Sequence, residues 1–207
     1  MTRRPRLVVA SLNRAKAVEI ARILSDEGVA FDVLSLADFH QVELPPETGE
    51  TFAENALVKV KHTAAALRMA AVADDSGLEV DALDGAPGVL SARYAGEAAS
   101  DEDRYRKLLD ELREVPDNRR AARFQCAAAY ATPDGETLLA EGTCGGTIAR
   151  EPSGAGGFGY DPIFIPDGEE RTMAQLTTEE KHAISHRGRA FRKLAELIRG
   201  QLGTAGG

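Results

Sequence analysis

Two adjacent acids, Asp74-Asp75, follow the short apolar run Ala71-Val72-Ala73. Like charges set side by side where burial is expected need a cation or hydrogen-bond donors to compensate them. Magnesium would do so, and a surface DDSG turn is the plain alternative. Successive residues of an extended segment point to opposite sides, so one carboxylate is expected to face a site while its neighbour supports a turn or an outer contact. Glu47, in the proline-stiffened loop Pro45-Pro46-Glu47-Thr48-Gly49, is a candidate second oxygen ligand.

A second constellation is the polar turn Ser11-Leu12-Asn13-Arg14-Ala15-Lys16, placed after the β-rich run Leu7-Val8-Val9-Ala10 and opening a helical pattern. Free backbone N–H groups and the positive end of the helix dipole suit a polyphosphate there, with Lys16 one turn in. A capped turn with a surface lysine fits the same residues. The spacing is not that of a Walker loop. Of the 25 basic residues only six are lysines, and Lys16, Lys59 and Lys181 fall beside the turn, on a capped helix and beside the final His/Arg cluster. A compact ammonium is a good point charge for phosphate oxygens. Asn55 and Lys59 are four residues apart with Glu54 bordering them, either a substrate-facing stripe or a solvated helix face.

The loop Gly154-Ala155-Gly156-Gly157-Phe158-Gly159 matches GxGxxG, but Tyr160-Asp161-Pro162 follows where a dinucleotide fold requires a helix. Backbone freedom is better used here to let a ligand approach Phe158, whose ring could stack on a nucleobase or plug the loop from beneath. His182 and His186 stand four apart without HExxH or a third ligand, a poor zinc site. Ser185-His186-Arg187 supplies donors near a helix start instead, for base carbonyls or phosphates, or merely as a cap.

The elements that must position these groups read as alternating strand and helix. A helix runs from Ala15 to Leu24, a second strand from Phe31 to Leu36, and a long helix from Thr51 to Met69 with Thr51 and Glu54 as a capping box. Ala71 to Ala73 reads as a strand that stops at the acidic pair, with a further extended segment through Leu78 and Val80. Ser100 and Asp103 cap a third helix, ended by Pro116. Segments 124–132 and 137–141 flank the hairpin turn Pro133-Asp134-Gly135. A final helix spans 178–202, broken near Ser185, and 203–207 reads as a flexible tail after one domain over 1–202. The chain has 207 residues and a net charge of −8, so it repels nucleic-acid polymers and anionic membranes and must receive any phosphate in a local basic pocket. The apolar run behind the N-terminal arginines is too short for a signal peptide or a span, which points to the cytoplasm. Cys126 and Cys144 have no pairing pattern and read as small core residues.

In order along the chain, SLNRAK, ETGETFAENALVKVKH, ADDSGLEVDALDGAPGVLSARYAGE, REPSGAGGFGYDPIF and LTTEEKHAISHRGRA resemble the inosine/xanthosine triphosphate pyrophosphatase family. The likeness covers nearly the whole chain. At the first motif the family usually carries Thr-Gly-Asn, where this chain has Ser11-Leu12-Asn13. The resemblance implies an α/β fold, a single elongated domain with a long mixed sheet flanked by helices and two lobes with the active cleft between them, and a homodimer. It implies Mg²⁺-dependent hydrolysis of ITP, dITP and XTP to the monophosphate and pyrophosphate.

Carried over residue by residue, Ser11, Leu12, Asn13, Arg14, Ala15 and Lys16 would hold the polyphosphate and Lys59 would support phosphate charge. Glu47 and Asp75 would bind the metal, and Asp75 would also direct the attacking water. Ser76, Phe158, Gly159, Tyr160, Asp161, Lys181, His186 and Arg187 would form the nucleotide pocket. Hypoxanthine and xanthine present an acceptor at position 6 where adenine presents a donor, so Lys181, His186 or Arg187 would favour the former. A related pyrophosphatase of different base preference and a non-catalytic nucleotide sensor are the competing readings.

Overall fold

The computed structural model describes residues 4–204. Strand β1 (Arg6–Val9) leads into helix α1 (Arg14–Asp26) and strand β2 (Asp32–Ser35); helix α2 (Phe52–Leu67) then precedes strand β3 (Ala70–Val80). Helix α3 (Asp101–Glu111), strands β4 (Ala121–Ala131), β5 (Thr137–Ile148) and β6 (Phe164–Pro166), and helices α4 (Thr178–Ile184) and α5 (His186–Thr204) complete the order. The six strands form one sheet in the order β2-β1-β3-β4-β5-β6. The sheet is mixed, because β1 runs parallel to both β2 and β3 whereas β5 and β6 are antiparallel. The expected α/β class, a mixed sheet flanked by helices, is the fold observed.

The chain divides into two compact units: 1–75, 126–142 and 187–207 make the first, and 76–125 with 143–186 make the second. In the first unit strand alternation sorts side chains onto two faces. Val72, Cys126, Ala128 and Tyr130 pack with Ile20 and Leu24 of α1 and Phe191 and Leu194 of α5. Ala71, Ala73, Ala127, Ala129 and Ala131 pack with Ala56, Val60 and Ala64 of α2. Methyl side chains on both partners give α2 a close seat on the strands. In the second unit Leu78, Val80, Leu108, Leu112, Phe124, Ile163, Phe164 and Met173 form the core, with Phe124 edge-on to Phe164 at 4.6 Å. Cys126 and Cys144 are both buried free thiols, the core role expected of them.

Four expectations change. β3 does not stop at Asp74-Asp75 but runs unbroken through them to Val80, because the pair is compensated by side chains distant in sequence. The Thr51–Glu54 capping box is half made: Thr51 Oγ1 accepts the Glu54 N–H at 3.1 Å, while the Glu54 carboxylate accepts the N–H of Glu50 at 2.8 Å. Strands β4 and β5 extend past the expected hairpin arms. The final helix is broken at Ser185, whose extended backbone separates α4 from α5. α5 runs through Thr204 and so takes in the start of the expected 203–207 tail, whose last residues, 205–207, lie outside the described residues.

Candidate active site

Asp74 follows the parity of Val72 and points to the face of α1 and α5; Asp75 follows Ala71 and Ala73 and points to the face of α2. The expected split of the pair is what the strand delivers. On the α2 face Lys59 Nζ lies 2.7 Å from Glu47 Oε1 and 3.3 Å from Asp75 Oδ1, and Asn55 Nδ2 donates to Asp75 Oδ2 at 2.9 Å. Asn55 and Lys59 share one stripe of α2, so both reach the same carboxylate. Asn55, 2% exposed, also accepts the Gly49 N–H on its Oδ1 at 2.8 Å, which fastens the loop carrying Glu47. A Cβ at Gly49 would stand 2.7 Å from that oxygen, so the loop approaches this closely only with glycine there.

Burial pushes the Asp75 carboxyl above its ordinary value, Glu47 adds to this, and Lys59 and Asn55 oppose it without cancelling it. Burial would lower the Lys59 ammonium, but Asp75, Asp74 and Glu47 outweigh it and Lys59 titrates above its usual range. Lys59 is therefore a fixed positive charge at neutrality. The two carboxylates converge on one point, and hard oxygen donors are what Mg²⁺ takes. Among the described residues no group of three or more His, Cys, Asp and Glu side chains is arranged to cage a metal. An ion that uses one or two carboxylates and completes its shell with phosphates and water needs no such cage, so the residues present fit magnesium.

On the other face Lys16 Nζ lies 2.9 Å from Asp74 Oδ1, and Arg187 Nε lies 3.2 Å from Asp74 Oδ2. Burial alone would raise the Asp74 carboxyl, but Lys16 and Arg187 hold it far below the carboxylate range. The turn that delivers Lys16 is shaped by its own polar side chains. Asn13 caps α1 by accepting the Lys16 N–H at 3.1 Å, and Ser11 Oγ accepts the Asn13 N–H at 3.2 Å. Leu12 is 62% exposed, and the only non-glycine residues with positive φ among those described are Arg68 and Asp84. The turn is thus built in backbone that leucine adopts without strain. Ala15 is exposed on the first turn of α1. Arg14 pairs with Asp38, in the turn after β2, at 2.8 Å, whereas Lys16 pairs with Asp74.

In the second unit Phe158 is 43% exposed, which rules out the buried plug. Its N–H donates to Asp161 Oδ2 at 2.8 Å, and Lys181 Nζ, ion-paired to the same oxygen, sits 4.8 Å from the ring centroid. A Cβ at Gly157, where φ is +75°, would meet Asp161 Oδ2 at 2.1 Å. Glycine lets the loop fold over this carboxylate. Tyr160 is buried and donates to the Ser91 carbonyl at 3.0 Å, which anchors the loop whose Gly159 N–H reaches Asp101. His186 stacks on Phe124 at 4.7 Å with the planes 13° apart, and Ser76 is the β3 residue directly after Asp75. Asn55, noted in the sequence only for its spacing from Lys59, proves to bind Asp75, and Glu19, which the sequence did not single out, pairs with Arg187 at 3.1 Å.

The fold and these clusters define an α/β protein that gathers lysines and acids on both faces of one strand. Residues 7–197 match the Ham1 family, and the chain belongs to that family. It is 49% identical to a dITP/XTP pyrophosphatase of Streptomyces coelicolor over 96% of this chain and 99% of that one. It is 47% identical to a dITP/XTP pyrophosphatase of Escherichia coli over 94% of this chain and 98% of that one. A Ham1 protein structure from Coxiella burnetii superposes with a TM-score of 0.86 at 41% identity, covering 95% of this chain and 99% of that one.

Proposed function

We propose that this protein hydrolyses the triphosphates of non-standard purines, dITP, ITP and XTP, to the monophosphate and pyrophosphate. The observation that carries the reading is Lys59 fixed between Glu47 and Asp75 on one face of β3, with Lys16 on the other. The relatives that match this chain over nearly their full length bear that activity in their names.

Ser11 to Lys16 bind the polyphosphate through turn N–H groups and the Lys16 ammonium. Glu47 and Asp75 would hold Mg²⁺, which when bound supplies charge neutralisation on the phosphates and makes water easier to deprotonate. Asp75 orients the water for attack at the α-phosphorus and accepts its proton. Lys59 and Lys16 stabilise negative charge growing on the phosphate oxygens. Phe158 stacks on the base, and Lys181, His186 and Arg187 donate to the oxygen at position 6, which leaves donors unpaired against adenine. Among the described residues no helix is long and apolar enough to cross a membrane. The reading includes a homodimer in the cytoplasm, where the nucleotide pool lies.

The test is a metal-dependence assay on ITP, XTP, GTP and ATP that identifies the inorganic product. Pyrophosphate released from ITP and XTP in Mg²⁺, with ATP slow, is expected. Orthophosphate as the sole product, or ATP as the preferred substrate, sinks the reading; tight ITP binding without turnover favours the sensor.

A further inference from the structure

Asp74 stands outside the Glu47–Asp75 pair, and it is 3% exposed. One of its oxygens meets Lys16 and the other meets Arg187. Arg187 Nη1 in turn lies 3.1 Å from Glu19 Oε2, and Glu19 is on α1 three residues after Lys16. The four side chains form a line of alternating sign, Lys16, Asp74, Arg187, Glu19, drawn from α1, β3 and α5. Alternation offsets the desolvation that a lone buried charge would suffer. Lys16 is the most exposed member, its side chain 20% accessible against 2% for Asp74 and 3% for Arg187.

A lysine stem left loose carries about 2 kcal/mol of rotamer entropy that a ligand must remove. A lysine already held by a buried carboxylate has lost it before the ligand arrives. An ammonium has three protons, and one salt bridge uses one of them. We propose that Asp74 is a positioning residue that holds Lys16 aimed at the phosphates and fixes Arg187 at the start of α5 through the same carboxylate. This rests on the reading of Lys16 as a phosphate ligand. Asp74 acts through Lys16, so its effect on phosphate binding vanishes when Lys16 is absent.

The test is calorimetric titration of the full chain with pyrophosphate, with and without Mg²⁺, for the wild type, Lys16→Met, Asp74→Asn and the double variant, alongside pyrophosphate release from ITP. Asp74→Asn is expected to weaken binding about tenfold or more, as loss of a charged hydrogen bond does. The double variant is expected to bind no more weakly than Lys16→Met alone. Losses that add, or wild-type affinity in Asp74→Asn, overturn the proposal while leaving the activity intact. A wild type that releases no pyrophosphate from ITP overturns the functional reading and this proposal with it. Where Asp74→Asn does not fold, the wild type answers through the ¹⁵N signals of its lysine ammonium groups, assigned with Lys16→Met. A Lys16 signal slowed in proton exchange supports the proposal, and one exchanging as fast as a surface lysine overturns it.

Discussion

Asn55 holds two parts of the chain at once: its Nδ2 donates to Asp75 at 2.9 Å while its Oδ1 accepts the Gly49 N–H at 2.8 Å. One buried amide thus sets both the orientation of the Asp75 carboxylate and the seat of the loop that brings Glu47 to Lys59. Asn55→Ala leaves a buried acceptor and a backbone donor without their partner, at a cost of about 1–3 kcal/mol in stability. We expect kcat for ITP to fall about tenfold, equivalent to about 1.4 kcal/mol of barrier, with a higher Mg²⁺ requirement. Gly49→Ala is expected to reproduce the metal effect. Wild-type Mg²⁺ titration curves for both variants would disprove the arrangement.

Asp74 makes acid stability testable. Its folded carboxyl titrates far below the unfolded value of about 3.9, so its stabilisation is complete above that value and is lost only as pH falls below it. Removing one member of a buried pair costs about 3–5 kcal/mol. Urea unfolding at neutral pH should show Asp74→Asn less stable by that order, and the gap should begin to close only below about pH 4. A gap already closing between pH 6 and 5 would contradict the sign.

Phe158 presents its ring at the surface with Lys181 over it. Stacking is tolerant of base identity and is worth about 1–3 kcal/mol per base. Phe158→Ala should therefore weaken inosine and guanosine monophosphates by similar factors and leave pyrophosphate binding unchanged. A loss confined to one base, or one that extends to pyrophosphate, points to a different role.

Arg120, buried in the second unit, donates to the carbonyls of Leu112, Ile148 and Ala149 at 2.7, 2.8 and 2.9 Å. The guanidinium ties the end of α3, the start of β4 and the end of β5 together. Arg120→Met should cost on the order of 3 kcal/mol, since each bond to a charged donor contributes about 1.5–3 kcal/mol and the three are not additive. Thermal unfolding should reveal the loss while KM for ITP stays put; a shifted KM with unchanged stability refutes it.

What could be read from the sequence was what is local in the chain. Ser100 and Asp103 announce α3 because a capping box lies within four residues, and the structure makes both of its hydrogen bonds. The break expected near Ser185 is also local, in the extended backbone of that residue. β3 was misread because Asp-Asp-Ser-Gly is turn chemistry locally, and the groups that make it tolerable in a strand lie far off at Lys16, Lys59 and Arg187. The candidate site was legible in its charged members, which announce themselves by type. Asn55 was legible only as a neighbour of Lys59, because an amide declares nothing until its two partners, Gly49 and Asp75, are folded against it.

The backbone passes from one unit to the other four times, after Asp75, Gln125, Gly142 and His186. Neither half is therefore a detachable cassette. A message cut short anywhere from codon 76 to codon 186 forfeits α5 and, with it, the Arg187 guanidinium paired to Asp74.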